Sequence, residues 1–173
     1  MTQDATAKSL RHSTRDAAAY AVMMGAGETY LSAFALFLKA SPPQIGLLAS
    51  LPPLIGSFAQ VLSAWLGRRT GLRKPLIIIG AATQALAWLP IALLPLLLPE
   101  LAVPCLIAAV VVYQCGGHFA TPQWASLMGD LVPIRRRGRF FARRTQTVSL
   151  LTFVSLALGG LTCCRRRGAG GAR

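Results

Sequence analysis

Residues 75–98 read PLIIIGAATQALAWLPIALLPLLL, and this stretch, which carries no charged side chain, decides the fold class. At about 1.5 Å of rise per residue, a helix of this length crosses the roughly 30 Å hydrocarbon core of a bilayer. A helix on the surface of a soluble protein needs a polar face, and this stretch lacks the residues to form one. The stretch therefore predicts a transmembrane helix.

Four more apolar runs accompany this stretch, and together they predict a membrane-embedded bundle. The runs lie at about 17–38, 45–66, 101–122 and 147–163, and the last is marginal in length. Backbone groups in lipid must bond within their own segment, so such runs form helices, and the lack of period-two alternation excludes a β-barrel. With 54% hydrophobic and 13% charged residues, we predict an all-α, polytopic membrane protein of about five transmembrane helices. The predicted parts are an N-terminal tail at 1–16, a helical bundle at 17–161 and an Arg/Gly-rich tail at 162–173.

The basic residues lie outside the apolar runs and indicate the orientation. The protein has 18 Lys and Arg against 5 Asp and Glu, a net charge of +13. Most of the cations stand in the N-terminal tail and in two loops: Lys8, Arg11, Arg15, Arg68, Arg69, Arg73, Lys74, Arg135, Arg136, Arg137, Arg139, Arg143 and Arg144. The predicted outer loops carry only Lys39. Since cytoplasmic loops are enriched in Lys and Arg, we predict a plasma-membrane protein with a cytoplasmic N-terminus, and no nucleic-acid partner is needed to explain the charge.

Glu28 interrupts the first run near the middle of the bilayer. A carboxyl group at that depth costs about 2–3 kcal/mol on insertion scales and is a functional hypothesis by default. Tyr20 precedes Glu28 by about two helical turns and shares its side of the helix. Two interpretations stay open: a substrate or proton pathway through Glu28 and Tyr20, or a hydrogen-bonded structural glutamate.

A second polar stripe lies in the fourth run. Gln114, His118 and Thr121 follow one another at helical spacing on one face. Gln114 has a depth comparable to that of Glu28, and His118 lies one turn closer to the cytoplasm. A histidine titrates near neutrality, so His118 joins the predicted pathway together with Gln114. Helix packing by hydrogen bonding is the alternative interpretation of His118.

The loop after the second run reads AWLGRRTGLRKP at residues 64–75. It resembles the signature loop between the second and third helices of the major facilitator superfamily, with Arg69, Gly71, Arg73 and Lys74 at matching positions. Arg68 stands where that family has an acid. Residues 124–133 and 137–144 look like the family's loop between helices four and five. The resemblance covers about residues 15–161 and implies an incomplete copy of the N-terminal six-helix bundle.

The resemblance implies secondary transport of a small solute, with or without a coupled proton, by alternating access. It implies no cofactor, no metal and no enzymatic activity; the partners would be the lipid bilayer, the solute, and a second half-transporter or a second copy of the chain. Asp130 stands before the arginine-rich loop, where it is expected to pair with Arg69, Arg73 or a loop arginine such as Arg139 as a cytoplasmic gate. The alternative function is a non-transport membrane scaffold or assembly subunit.

The end of the chain breaks the charge pattern. Five spans from a cytoplasmic start leave the cations of the 162–173 tail on the outer side. Two explanations compete: either the fifth run does not fully cross the membrane, or the chain is a truncated gene product. The abrupt change of composition at Thr162 favours truncation.

Overall fold

The computed structural model describes residues 17–97 and 101–170, excepting the side chains of 97, 135–136 and 162–170. The elements are, in chain order, α1 (17–26), a single 3-10 turn (Glu28–Tyr30), α2 (Leu31–Phe37), α3 (Pro42–Thr70), α4 (Arg73–Leu86), α5 (Trp88–Leu97), α6 (Ala102–Leu131) and α7 (Ile134–Gly170). No strand occurs within these ranges, which confirms the predicted all-α fold. The predicted N-terminal tail at 1–16, residues 98–100, and residues 171–173 of the predicted C-terminal tail lie outside the described residues.

Three stretches of helix in the described part of the chain are long and apolar enough to cross a membrane: Pro42–Thr70, Arg73–Leu96 and Ala102–Leu131. Large apolar side chains on these helices stay exposed, such as Phe58 at 69% and Leu96 at 79%. Exposed apolar surface of this kind is costly in water and suits contact with lipid. The chain is therefore a helical integral membrane protein.

Helix α3 has clear signals at both ends. Gln44 Oε1 accepts a hydrogen bond of 2.8 Å from the backbone N–H of Ser41, half of a capping box, and Pro42 occupies the first helical turn. Gly71 ends α3 with a φ of 69°, and its N–H donates to the Gly67 carbonyl at 3.0 Å. Glycine takes this left-handed conformation without steric cost, so the basic loop reverses direction within two residues.

The third apolar run divides into α4 and α5 at Ala87. Pro90 has no N–H to donate to the carbonyl of Leu86, and its ring crowds that carbonyl. Helix α4 accordingly ends at Leu86, and the chain continues as α5 from Trp88. The run is still long enough to span a membrane across this break.

Besides this division of a run predicted as a single helix, two further segments differ from the sequence-based expectation. The first run, expected to be continuous from 17 to 38, breaks at Gly27 and passes through the 3-10 turn before α2. The arginine-rich segment after Pro133, expected to be a loop, is helical from Ile134 onward. Pro133 prevents α6 from continuing, whereas the residues that follow it include good helix formers such as arginine and alanine.

The chain divides into two compact units, residues Met1–Leu31 with Leu131–Arg173, and residues Ser32–Asp130. In the first unit, Ala17 and Ala21 of α1 have no exposed surface. In the second unit, α6 is the most buried of the three spanning stretches and contributes Leu106 and Tyr113, both fully buried. Helix α6 is therefore the central helix of the second unit.

Candidate functional site

Glu28 lies in the break of the first apolar run. Helix α1 ends with the Gly27 N–H donating to the Met23 carbonyl at 2.9 Å, and the turn closes with the Tyr30 N–H donating to the Gly27 carbonyl at 3.0 Å. Glu28 opens this 3-10 turn and is half-buried. A short 3-10 stretch inside a longer helix often marks a functional hinge. The carboxyl group therefore belongs to irregular backbone rather than to the side of a regular helix.

Helix α7 holds this break in place. The Tyr30 hydroxyl donates to the Leu156 carbonyl at 2.8 Å, and the Thr152 hydroxyl donates to the Ala21 carbonyl at 3.3 Å. A Cβ on Gly25 would lie 2.4 Å from the Thr152 carbonyl oxygen, so the two helices meet backbone to backbone there. Small residues allow this close approach in membrane helices.

Tyr20 and Glu28 belong to the same compact unit. Tyr20 keeps 41% of its surface exposed. Both predicted pathway residues of the first apolar run therefore lie in the first unit.

A polar seam joins α3 to α6 in the second unit. His118 Nδ1 lies 3.1 Å from Gln60 Oε1. One turn further along, the Ser63 hydroxyl donates to the Phe119 carbonyl at 2.6 Å. Gln123 Nε2 donates to the Ser63 carbonyl at 2.5 Å, and both side chains are buried. Because a membrane offers no water to satisfy such groups, these mutual bonds hold the two helices in one register.

The other face of α6 packs on α4 without polar side chains at the closest point. A Cβ on Gly116 would lie 2.7 Å from the Gly80 carbonyl oxygen and 2.7 Å from the Gln84 backbone nitrogen. Next to this contact, Trp88 and Tyr113 make an edge-on ring contact with centroids 5.5 Å apart. Helix α6 is therefore fixed on two sides, by α3 and by α4.

The polar residues of the predicted stripe on α6 have different hydrogen-bond partners. His118 faces Gln60, whereas the Thr121 hydroxyl bonds back to the Gly117 carbonyl of its own helix at 2.8 Å. Gln114 is half-buried and takes part in an interaction of its own. Gln114 and His118 lie in the second unit, and Glu28 lies in the first.

The basic loop and the end of α6 meet at the basic end of the second unit. Arg73 forms a salt bridge with Asp130, with 38% and 67% of the two side chains exposed. Arg69 stacks on Trp65, with its guanidinium carbon 5.2 Å from the ring centroid. Arg73 is one of the three partners that the sequence left open for Asp130. Arg139, another of them, lies exposed on α7 in the other unit.

Several residues of these contacts were missed or undervalued by sequence reasoning. Gln123 and Tyr30 attracted no prediction, because a single polar residue in an apolar run has no partner visible in the sequence. A signal did exist on α3, where Gly56, Gln60 and Ser63 recur at helical spacing and mark one face. No group of side chains suited to bind a metal ion occurs in the described part of the chain.

Comparison with known protein families gives one match. Residues 17–165 match the family model described as Major Facilitator Superfamily. The match covers all described elements from α1 into the later turns of α7. No curated protein and no solved structure matches the chain.

Proposed function

The chain belongs to the Major Facilitator Superfamily, and we propose that it moves a small solute across the membrane by secondary active transport. Members of this family are transporters, and the chain is an integral membrane protein. In alternating access, one helical bundle rocks against another around a site near the bilayer midplane. The position of the cations supports a cytoplasmic N-terminus in a plasma membrane.

The observation that carries the proposal is the break of the first span at Glu28. Transporter sites are typically formed by discontinuous helices whose unwound backbone lines a cavity. A carboxyl group at membrane depth is costly and marks a functional site by default. Glu28 is therefore the group we assign to proton or substrate binding, with Tyr20 beside it.

Gln114 and His118 are the polar contacts that we assign to the solute on α6. His118 is bonded to Gln60 at 3.1 Å, which fixes the direction of its ring. The amide of Gln114 lies one turn from His118 on the same helix. An amide and an imidazole both donate and accept hydrogen bonds, so this pair suits a polar solute.

The basic loop is assigned to the cytoplasmic gate. Arg73 and Asp130 tie the start of α4 to the end of α6, and Gly71 provides the tight reversal between α3 and α4. Arg69 and Lys74 are the other basic residues of this loop that we assign to the gate. An ion pair this exposed is worth about 0–1 kcal/mol. Such a weak contact can open and close during a transport cycle.

Alternating access needs a second bundle facing this one. We propose that a second polypeptide or a second copy of the chain supplies it. Chemical cross-linking in membranes, followed by mass measurement of the purified complex, distinguishes the two sources. A species of twice the chain's mass indicates a second copy.

The test of transport is solute exchange in vesicles that contain the purified protein together with any partner that co-purifies. Vesicles loaded with an unlabelled solute are diluted into the same labelled solute, and uptake is measured over a panel of candidate solutes. We expect exchange of at least one solute, lowered at least tenfold by Gln114→Ala, which removes a solute contact. Thr121→Ala is the matched control on the same helix, because that hydroxyl bonds only its own backbone in the described structure.

Absence of exchange for every solute, with the protein folded and inserted, contradicts the transport proposal and favours the alternative of a membrane scaffold. Equal loss of exchange in Gln114→Ala and Thr121→Ala contradicts the assignment of Gln114 alone. A binding partner recovered without transport activity is the positive sign of a scaffold.

A further inference from the structure

An open cationic pocket lies where α3 ends and α4 begins. It has a volume of about 740 Å³, and the side chains that line it include Arg68, Arg73 and Lys74 together with the apolar Leu72, Pro75 and Leu127. The pocket thus combines three cations with an apolar wall. This composition suits an anionic group attached to an apolar body.

The cations of this pocket exceed the acids available to neutralise them. Asp130 is the only acid among the described residues of the Ser32–Asp130 unit, and it is already bonded to Arg73. Arg68 and Lys74 are exposed and have no acid of that described unit to pair with. Leu72, the residue before α4, supplies no side-chain cap, so the positive end of the α4 dipole adds to the field of the two cations.

The surroundings of the pocket place it at the edge of the hydrocarbon. Both flanking helices are long and apolar enough to span a membrane, and the pocket lies at their shared end. Trp65, about one and a half turns before the end of α3, is 46% exposed and stacks with Arg69. Tryptophan is enriched where hydrocarbon meets headgroups. Further along the two helices, away from the pocket, Leu62 of α3 and Ile79 of α4 stay exposed at 55% and 56%.

We propose that this pocket binds the phosphate of an anionic phospholipid headgroup. Arg68 and Lys74 contact the phosphate oxygens, Arg73 contributes its remaining donors, and the acyl chains lie along the exposed apolar surface of α3 and α4. Arginine and lysine both bind phosphate well, arginine through a two-pronged set of hydrogen bonds. A basic pocket between membrane helices on the cytoplasmic side is a favourable place for such a headgroup.

The experiment measures lipid retained by the purified full-length protein in a neutral detergent, using native mass spectrometry. The probes are phosphatidylglycerol, which is anionic, and phosphatidylcholine, which has no net charge. The test variant carries Arg68→Gln and Lys74→Gln. The matched control carries Arg69→Gln and Arg139→Gln, which remove the same charge outside the pocket.

We expect the wild type to retain phosphatidylglycerol in preference to phosphatidylcholine. Each cation near a lipid surface contributes about 1 kcal/mol, so removing two lowers the affinity for phosphatidylglycerol about 30-fold. The control variant keeps its affinity within about threefold, since neither substituted residue lines the pocket. The helical content of both variants is measured beside the wild type, and exposed substitutions of this kind leave it unchanged.

Three results overturn the proposal. If both variants lose phosphatidylglycerol equally, the attraction comes from total charge rather than from a site. If phosphatidylcholine is retained as well as phosphatidylglycerol, the pocket does not select an anion. If glycerol phosphate or inorganic phosphate displaces the lipid at concentrations similar to that of the lipid itself, the ligand is a soluble phosphate compound and not a lipid.

Discussion

The backbone-to-backbone contact of α4 and α6 predicts that a glycine-to-alanine substitution has opposite effects on stability at two places on α6. At Gly116, a Cβ would lie 2.7 Å from backbone atoms of α4 on two sides, the Gly80 carbonyl oxygen and the Gln84 nitrogen. At Gly129, a Cβ would meet nothing within 4 Å. Gly116→Ala should therefore destabilise the protein, and Gly129→Ala should stabilise it.

The magnitudes follow from these distances. Ordinary contact begins at 3.4 Å, so a Cβ on Gly116 forces α4 and α6 apart by about 0.7 Å. Overpacking of this kind costs about 1–3 kcal/mol, and the upper half applies because backbone atoms cannot rotate away. Replacing glycine with alanine within a helix also stabilises the helix by about 1 kcal/mol, because alanine has the higher helix propensity. The net loss at Gly116 is about 1–2 kcal/mol, against a gain of up to about 1 kcal/mol at Gly129.

The assay is reversible unfolding in mixed micelles of a neutral detergent and sodium dodecyl sulfate, followed by far-ultraviolet circular dichroism. Both variants are compared with the wild type for the free energy of unfolding. The reasoning is refuted if Gly116→Ala is as stable as Gly129→Ala, because the close approach of α4 and α6 would then be absent.

Three further predictions concern hydrogen bonds and charges. Asp130→Arg should cost up to about 1 kcal/mol of unfolding free energy, and adding Arg73→Asp should restore it; no recovery in the double variant excludes the pair. Gln123→Leu and Ser63→Ala should each lower the free energy of unfolding by about 0.6–1.7 kcal/mol, the range for hydrogen bonds between membrane helices. A double-mutant cycle should show coupling, because the two side chains bond one another. Strictly additive losses contradict this shared bond. Tyr30→Phe should cost a similar amount by losing its bond to α7, measured by the same unfolding assay, and an unchanged stability speaks against that bond.

The fold class could be read from the sequence because lipid leaves few choices. An uncharged run such as 75–98 can satisfy its backbone only as a helix. The structure is helical there, although the division into α4 and α5 at Ala87 was not predicted. The ends of α3 were predicted less well, because the apolar run at 45–66 lies inside the observed helix Pro42–Thr70. The observed ends carry the local signals of Pro42 and Gly71.

The break at Gly27 was not predictable in the same way. The run from 17 to 38 is apolar enough to read as one helix, and glycine alone is tolerated within membrane helices. What stabilises the break is the Tyr30 bond to Leu156 of α7, far along the chain. A contact of that sequence separation leaves no trace in local composition.

For the arginine-rich segment, the prediction of a loop was wrong. Charge predicts that residues 135–144 stay outside the hydrocarbon, and it says nothing about their backbone. Arginine is a good helix former, so the segment extends α7 instead of forming a loop. The partners of the candidate site residues were the least predictable, since the bond between His118 and Gln60 joins two helices that the sequence leaves unpaired.

Glu28 is the group proposed for proton or substrate binding, and one measurement tests most directly whether it couples solute movement to a proton. In vesicles with the purified protein and its co-purifying partner, accumulation of a transported neutral solute is measured against an imposed pH gradient with the electrical potential held at zero. Coupling to one proton predicts about a tenfold rise in accumulation for each pH unit, because a pH unit corresponds to about 1.36 kcal/mol. We predict this slope for the wild type and no dependence on the gradient for Glu28→Gln, with exchange preserved; a Glu28→Gln variant that accumulates solute as the wild type does would contradict the account.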